Sequence, residues 1–368
     1  MRHPADITPL TFLDYPKKAA CIFWYTGCNL RCPYCYNPEL VLSHGGGQDE
    51  MAFLRERAGF LDAVVLSGGE STLNPDIAEL CREIKKRGFE PKGFDTVFVG
   101  DVPLGAGMSS SAALESTFAN ALNEIFNLNI DRFELARIGQ STEHNYCGVK
   151  CGIMDQFASV FGKKGHLMRL NCATMEFEYF PFNPEGYKVV LLDTVVKHEL
   201  ASSAYNKRRE SCENACAHIK ANHPEVNFLS DATMAMLDEV KAEISEEDYM
   251  RAVYVIGEKQ RVLDVCAALE KGDYETVGDR MFGTHYGMSK EYEVSCEELD
   301  FLNDIAKQCG VTGSRVMGGG FGGCTINLVK EDLYDNFIAT AKKEYLAKYN
   351  REPKVYDVVI SDGARRIK

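Results

Sequence analysis

Two groups of residues in this chain have the types and spacing to do chemistry. The first is Gly27-Cys28-Asn-Leu-Arg-Cys32-Pro-Tyr34-Cys35. Pro33 disfavours a regular helix, so thiols spaced C-x3-C-x2-C can curl around one object. Three thiolates on a [4Fe–4S] cluster leave one iron open, and that iron can chelate the amino and carboxylate groups of S-adenosylmethionine; most clusters take four thiolates. Downstream, Val65-Leu-Ser-Gly68-Gly69-Glu70 ends an apolar run with a backbone suited to a methionine amino group. A zinc site with Cys21 or His44 as fourth ligand is the alternative.

The second group is spread more widely. Pro103-Leu-Gly105-Ala-Gly107-Met-Ser109-Ser110-Ser111 stands before a helical pattern, where free N–H groups and the positive dipole end suit a polyphosphate. The serine hydroxyls of Ser110 and Ser111 can also reach Mg2+. No Gly-Lys-Ser/Thr follows, so the loop is not of the Walker type; a glycine turn with serine caps is the other reading. Next come Glu143 and, within Cys151-Gly152-Ile-Met-Asp155-Gln156, Asp155. Phosphoryl transfer needs one carboxylate on the metal and one beside the acceptor hydroxyl, which gives Glu143 and Asp155 their expected roles. A helix cap and a solvated face are the competing assignments. Last is Gly318-Gly-Gly-Phe-Gly-Gly323, whose concentration of glycine indicates close approach to a ligand or to another chain; a plain tight turn between two strands is the competing reading, and it explains one or two of the glycines but not five.

The elements that must position these residues change character near residues 88–94. Before that point the pattern reads strand (Ala19 to Tyr25), cysteine loop, helix, strand (Ala63 to Leu66), glycine turn and helix (Asp76 to Arg87), a βα beginning with a parallel sheet. After it come a strand at Thr96 to Val99, the glycine loop, and a helix with Leu114, Phe118, Ala121, Leu122, Ile125 and Phe126 on one face. A strand at Tyr187 to Val196, helices around 205–222, 246–271 and 294–309, and strands near 324–329 and 354–360 complete an α+β body.

The phosphate-loop, Asp155 and glycine-loop segments together resemble the galactokinase branch of the GHMP small-molecule kinases, and the resemblance runs from about 94 to 368. PLGAGMSSSAALE, CGIMDQF and GGGFGG stand in the family's order. The resemblance implies a two-lobe fold with Mg2+-ATP as donor and the C1 hydroxyl of galactose as acceptor. It implies that Asp155 is the catalytic carboxylate and that Gly105, Gly107, Ser109, Ser110 and Ser111 hold the ATP phosphates. Ser110, Ser111 and Glu143 would hold Mg2+. Galactose would be met by Gly152, Asp155, Gly319, Gly320 and Tyr205, the last within HELASSAYNKRRE. One family feature is missing: nothing in residues 1–93 resembles the Arg-Val-Asn-Leu-Ile-Gly-Glu-His-type segment that supplies sugar ligands and an arginine. A non-catalytic ATP- or sugar-binding protein is therefore the alternative.

Residues 1–90 resemble a radical SAM protein of the kind that activates anaerobic ribonucleotide reductase, through GCNLRCPYCYNPEL and LSGGESTLNPD. Ser71 and Tyr36 replace that family's more frequent proline and histidine. The resemblance implies a [4Fe–4S] cluster on Cys28, Cys32 and Cys35, and S-adenosylmethionine near Tyr34, Gly68, Gly69 and Glu70. A complete (β/α)8 barrel takes about 200 residues or more, so this is a truncated βα unit.

The expected domains are thus 1–93, a partial radical SAM βα segment, then 94–195 and 196–368, the two kinase lobes. The chain's 368 residues, 45% hydrophobic and 26% charged, can bury a real core. A net charge of -13 argues against nucleic acid as a partner. No apolar run suits a membrane span and Met1 to Leu10 lacks a signal peptide's apolar stretch, so a cytoplasmic protein is expected. The eleven cysteines outside the C-x3-C-x2-C set read as buried thiols.

Overall fold

The computed structural model describes residues 3–11, 15, 18–27, 38–42, 46–68, 74–92, 98–103, 106–149, 151–196 and 201–367. They form two compact units, Met1–Val99 and Gly100–Lys368. Of the strand expected at Thr96 to Val99, the first two residues lie outside the described residues, and Phe98 and Val99 have no regular structure.

The first unit holds β1 (Asp6–Thr11), β2 (Ala20–Tyr25), α1 (Pro38–Leu42), α2 (Glu50–Glu56), β3 (Ala63–Gly68), α3 (Ile77–Lys86) and β4 (Glu90–Lys92). Its sheet has the order β1-β2-β3-β4. β1 is antiparallel to β2, and β2, β3 and β4 run parallel. Helical spacing puts Leu80 and Ile84 on one face of α3, where they are buried with Phe23, Leu54 and Val64. Cys21 lies in this core, where burial pushes its thiol up to about 12, so it is poorly suited to serve as a fourth zinc ligand.

The second unit begins with α4 (Ser110–Ile125), α5 (Arg132–Thr142), a π-helical turn Glu143–Cys147, α6 (Met154–Phe161) and the hairpin β5 (His166–Leu170) and β6 (Phe177–Pro181). After β7 (Tyr187–Asp193) come α7 (Ala201–Asn222), α8 (Met234–Glu239), α9 (Glu246–Lys271), α10 (Tyr274–Lys290) and α11 (Glu297–Gln308). The chain ends with β8 (Gly313–Val316), β9 (Cys324–Lys330), α12 (Glu331–Tyr349) and β10 (Lys354–Asp357). The main sheet, ordered β10-β7-β9-β8, is antiparallel throughout. One of its faces is closed by Leu302, Ile305 and Ala306 of α11 and by Phe337, Ala341 and Tyr345 of α12.

The structure departs from the sequence patterns in two places. The apolar stripe of α4 is largely unburied: Phe118 and Ile125 are exposed, and the helix instead buries Ala112 and Ser116. Among the scattered cysteines only Cys21, Cys266 and Cys324 are buried; Cys172 is exposed and the rest are half-buried. No helix among the described residues is long and apolar enough to cross a membrane.

α10 was not legible because three glycines interrupt its pattern. Packing explains one of them directly. A Cβ on Gly278 would lie 2.0 Å from the Thr312 carbonyl oxygen, so only glycine lets α10 approach the start of β8. Gly278→Ala should therefore destabilise by about 1–3 kcal/mol despite its gain in helix propensity, because the clash is with backbone that cannot rotate away. Urea unfolding of the two proteins checks this.

Candidate active site

The site of the second unit starts where two backbone loops touch. Asp193 and Cys324 are register partners, so the chain leaving β7 and the glycine loop entering β9 meet at one sheet edge. Thr194 donates both its N–H (3.0 Å) and its hydroxyl (2.8 Å) to the Gly323 carbonyl. The buried Tyr345 hydroxyl, from α12, donates to the Thr194 carbonyl at 2.9 Å. Ala106 packs with Leu191 and Cys324 in this corner. A Cβ on Gly323 would lie 3.4 Å from the Ala106 carbonyl oxygen, and one on Gly107 3.5 Å from that of Met317. These are ordinary contact distances; what calls for glycine at both positions is a left-handed backbone, φ 76° at each, and Gly318 and Gly319 are exposed.

Ser109 follows directly, as the N-cap of α4. It adopts a left-handed conformation (φ 53°, ψ 53°), uncommon for a residue with a side chain, and makes no side-chain cap. Its hydroxyl donates instead to Asp155 Oδ2 at 2.5 Å. The first amides of α4 are thus left without a serine cap, an arrangement that fits a phosphate group. Asp155 lies in the first turn of α6 but is not its cap, which is Ile153.

Behind this contact lies a carboxylate pair. Glu143, in the π-helical turn, is buried rather than on a solvated face. One ligand atom each from Glu115, Glu143 and Cys147 lies within 4.8 Å of the others. Burial first, and then the charge of Glu143, push the Glu115 carboxyl up to about 7. Glu115 Oε2 and Gln156 Oε1 are buried with no hydrogen-bond partner. Mg2+ is usually held by one or two carboxylates together with waters and substrate phosphates, which this pair fits. Cys151 sits between the two acidic centres: burial and then the charges of Glu143 and Asp155 raise its thiol's pKa.

The sequence-derived residues are therefore partly brought together. Ser109 and Asp155 are in contact, and Gly107 lies against the loop that carries Gly319 and Gly320. Gly152 is exposed just before α6. Ser110 and Ser111 open α4, and Tyr205 lies in the first turns of α7. Gly105 is outside the described residues. Sequence reasoning missed Glu115, Cys147 and Gln156. Glu115 and Gln156 were nevertheless inside the quoted motifs, and their signal was a polar side chain in an otherwise apolar helical segment.

In the first unit, Cys28, Cys32, Cys35, Tyr34, Gly69 and Glu70 lie outside the described residues, as does His44. Their surroundings are defined. Tyr25 and Gly68 are register partners at the ends of the parallel strands β2 and β3, so the chain continues toward residues 28 and 69 from neighbouring strand ends. The Gly27 N–H donates to the Leu40 carbonyl at 2.9 Å, which joins the chain before the cysteine segment to the chain after it.

Comparison with known proteins gives these features a context. Residues 76–163 match the GHMP kinases N-terminal domain, 266–347 the GHMP kinases C-terminal domain, and 18–96 a 4Fe-4S single cluster domain. The first and third matches overlap at 76–96, where α3 and β4 fold with the first unit. The chain is 42% identical to a galactokinase of Clostridium beijerinckii over 75% of its own length and 72% of the relative's. It is 39% identical to a galactokinase of Thermotoga neapolitana, with 79% and 81% covered. Among solved structures, Lactococcus lactis galactokinase complexed with galactose aligns with a TM-score of 0.72 at 31% identity, covering 79% of this chain and 76% of that one.

The Glu115 carboxyl carries a pH prediction for cation-free protein. Its folded pKa, about 7, lies above the ordinary glutamate value of 4.5, so folding takes up a proton between these values. That contribution is fully present below pH 4.5 and turns unfavourable as pH rises through 7. Glu115→Gln should therefore gain stability relative to the unsubstituted protein on going from pH 5 to pH 8. Urea unfolding at both pH values in chelator checks it, and a constant difference would reject it.

Proposed function

Because this chain belongs to the galactokinase family of GHMP kinases, we propose that it transfers the γ-phosphoryl group of ATP to the C1 hydroxyl of galactose. The observation that carries the reading is the 2.5 Å hydrogen bond from Ser109 to Asp155, which puts a carboxylate against the residue that opens the phosphate-facing helix. Asp155 orients the acceptor hydroxyl and takes its proton as the bond to phosphorus forms. The first amides of α4, with Gly105, Gly107, Ser109, Ser110 and Ser111, hold the phosphates. Glu143, joined by Glu115 and the hydroxyls of Ser110 and Ser111, holds Mg2+, which when bound neutralises charge on the transferred group. Gly152, Tyr205, Gly319 and Gly320 line the galactose pocket. The kinase lobes divide near residue 195, with the phosphate loop and Asp155 before it and Tyr205 and the glycine loop after it.

The missing Arg-Val-Asn-Leu-Ile-Gly-Glu-His-type segment sets the expected rate. Each absent sugar hydrogen bond weakens acceptor binding by ~1–3 kcal/mol, so KM for galactose should exceed that of full-length relatives. Galactose-dependent ADP release with Mg2+-ATP tests the proposal. Asp155→Asn should lower kcat by about 10²–10⁴-fold with nucleotide binding intact. A folded protein that binds ATP but shows no turnover in either form would instead be a non-catalytic nucleotide binder.

For the first unit we infer a [4Fe–4S] site on Cys28, Cys32 and Cys35. The match of residues 18–96 to a single-cluster domain supports it. Tyr34, Gly68, Gly69 and Glu70 are the candidates for S-adenosylmethionine. Anaerobic reconstitution should give about four irons per chain. Replacing Cys28, Cys32 and Cys35 together with serine should abolish the iron, and stoichiometric zinc in the purified protein would reject the cluster.

A further inference from the structure

The segment between α10 and α11, residues 291–295, belongs to none of the sequence motifs, yet the glycine loop rests on it. Phe321 donates its N–H to the Val294 carbonyl at 2.6 Å. A Cβ on Gly320 would lie only 2.0 Å from that same oxygen. Val294 is almost fully buried and packs with Phe321 and Val316. The glycine loop thus meets a fixed carbonyl rather than a side chain that could rotate aside.

Two arginines hold the segment. Arg208, on α7, donates Nε to the Tyr292 carbonyl at 2.7 Å and Nη2 to the Glu293 carbonyl at 3.0 Å. Arg251, on α9 and almost fully buried, donates to the Glu291 carbonyl and to the Glu293 carboxylate. Glu293 itself has a left-handed backbone (φ 50°), which costs energy for a residue with a side chain and persists only where its surroundings enforce it. Three consecutive carbonyls are therefore held by guanidinium groups, which offer several donors in one rigid plane and keep their charge at any working pH.

We propose that Arg208 and Arg251 are positioning residues: through the carbonyls of residues 291–293 they fix Val294, and Val294 fixes the Gly318–Gly323 loop at the ligand site. Arg208 also lies one helical turn beyond Tyr205 on α7. One side chain thereby links the helix assigned to galactose contact with the loop assigned to the same ligand. The link to ligand binding rests on the galactokinase reading, whereas the mechanical link to the loop does not.

The test compares Arg208→Gln with unsubstituted protein by amide hydrogen exchange without ligands, followed by galactose and Mg2+-ATP kinetics. Exchange at the Phe321 amide should accelerate by about tenfold or more, as expected for loss of charge-assisted bonds, while amides of α12 keep their rates. KM for galactose should rise with kcat changed less than threefold, roughly the uncertainty of such comparisons. Should Arg208→Gln not fold, as judged by circular dichroism, Arg208→Lys keeps the charge but not the fork, and the same exchange comparison applies. Unchanged Phe321 exchange in a folded variant overturns the proposal, even if the melting temperature falls. Accelerated exchange in a protein with no turnover supports the mechanical link and counts against the galactokinase reading alone.

Discussion

The stacking of Phe157 on Phe161, with ring centroids 4.3 Å apart, is the contact on which the chemistry of the second unit depends. α6 has only 8 residues, too few to persist as a helix without tertiary support. Its support is aromatic. Phe133 of α5 lies 4.9 Å from Phe161, and Phe177 of β6 lies 5.2 Å from both Phe157 and Phe161. The chain's last segment closes the far end, with Ala364 donating to the Ser159 carbonyl and Gly363 to that of Gly162, both at 2.8 Å. Asp155 is in the first turn of this helix, so its direction toward Ser109 is fixed by packing one and two turns away.

The partner half of the site is fixed by different means. Where α6 relies on aromatic packing, the loops at the end of β7 and the start of β9 rely on hydrogen bonds to backbone carbonyls. The Gly323 carbonyl accepts twice from Thr194, and the Thr194 carbonyl accepts from Tyr345. Tyr345 is fully buried in the core under α12, so the hydrophobic core and the glycine loop are joined through one residue. This also explains why β7, before residue 195, pairs with β9 and β10 far beyond it: the sheet edge that carries the glycine loop needs strands from both sides of that position.

What the sequence made legible follows from what each signal measures. Asp155 and Ser109 could be named because their motifs are dense in unusual residue types, and α3 because Leu80 and Ile84 keep helical spacing. The apolar face of α4 is legible as helical spacing, while the exposure of Phe118 and Ile125 is not, since periodicity reports a face and not what covers it. The glycines of GGGFGG were legible as a concentration, but not the close approach that Gly320 makes to the Val294 carbonyl, since its partner lies in a segment distant in sequence. The hairpin β5–β6 gave no signal, because its strands are short and held by the aromatic cluster rather than by a wide sheet. Arg208 and Arg251 were unreadable for a related reason: they grip carbonyls, and a carbonyl carries no residue identity.

The acidic pair shows why a chain of net charge -13 can still be a polyphosphate enzyme. Glu115 and Glu143 are placed where water is partly excluded, and burial and then the charge of Glu143 make a charge on Glu115 costly. Folding alone gains nothing from such a pair; an apolar side chain in either place would cost less. Two events can relieve the repulsion, a proton on Glu115 or a cation shared between the carboxylates. Burial and the charge of Glu143 push the Glu115 carboxyl up to about 7, so a proton and a cation would compete for the pair. A Mg2+ ion held by these carboxylates would relieve the repulsion beside the N-terminus of α4, and would thereby favour a nucleotide phosphate at the same helix start.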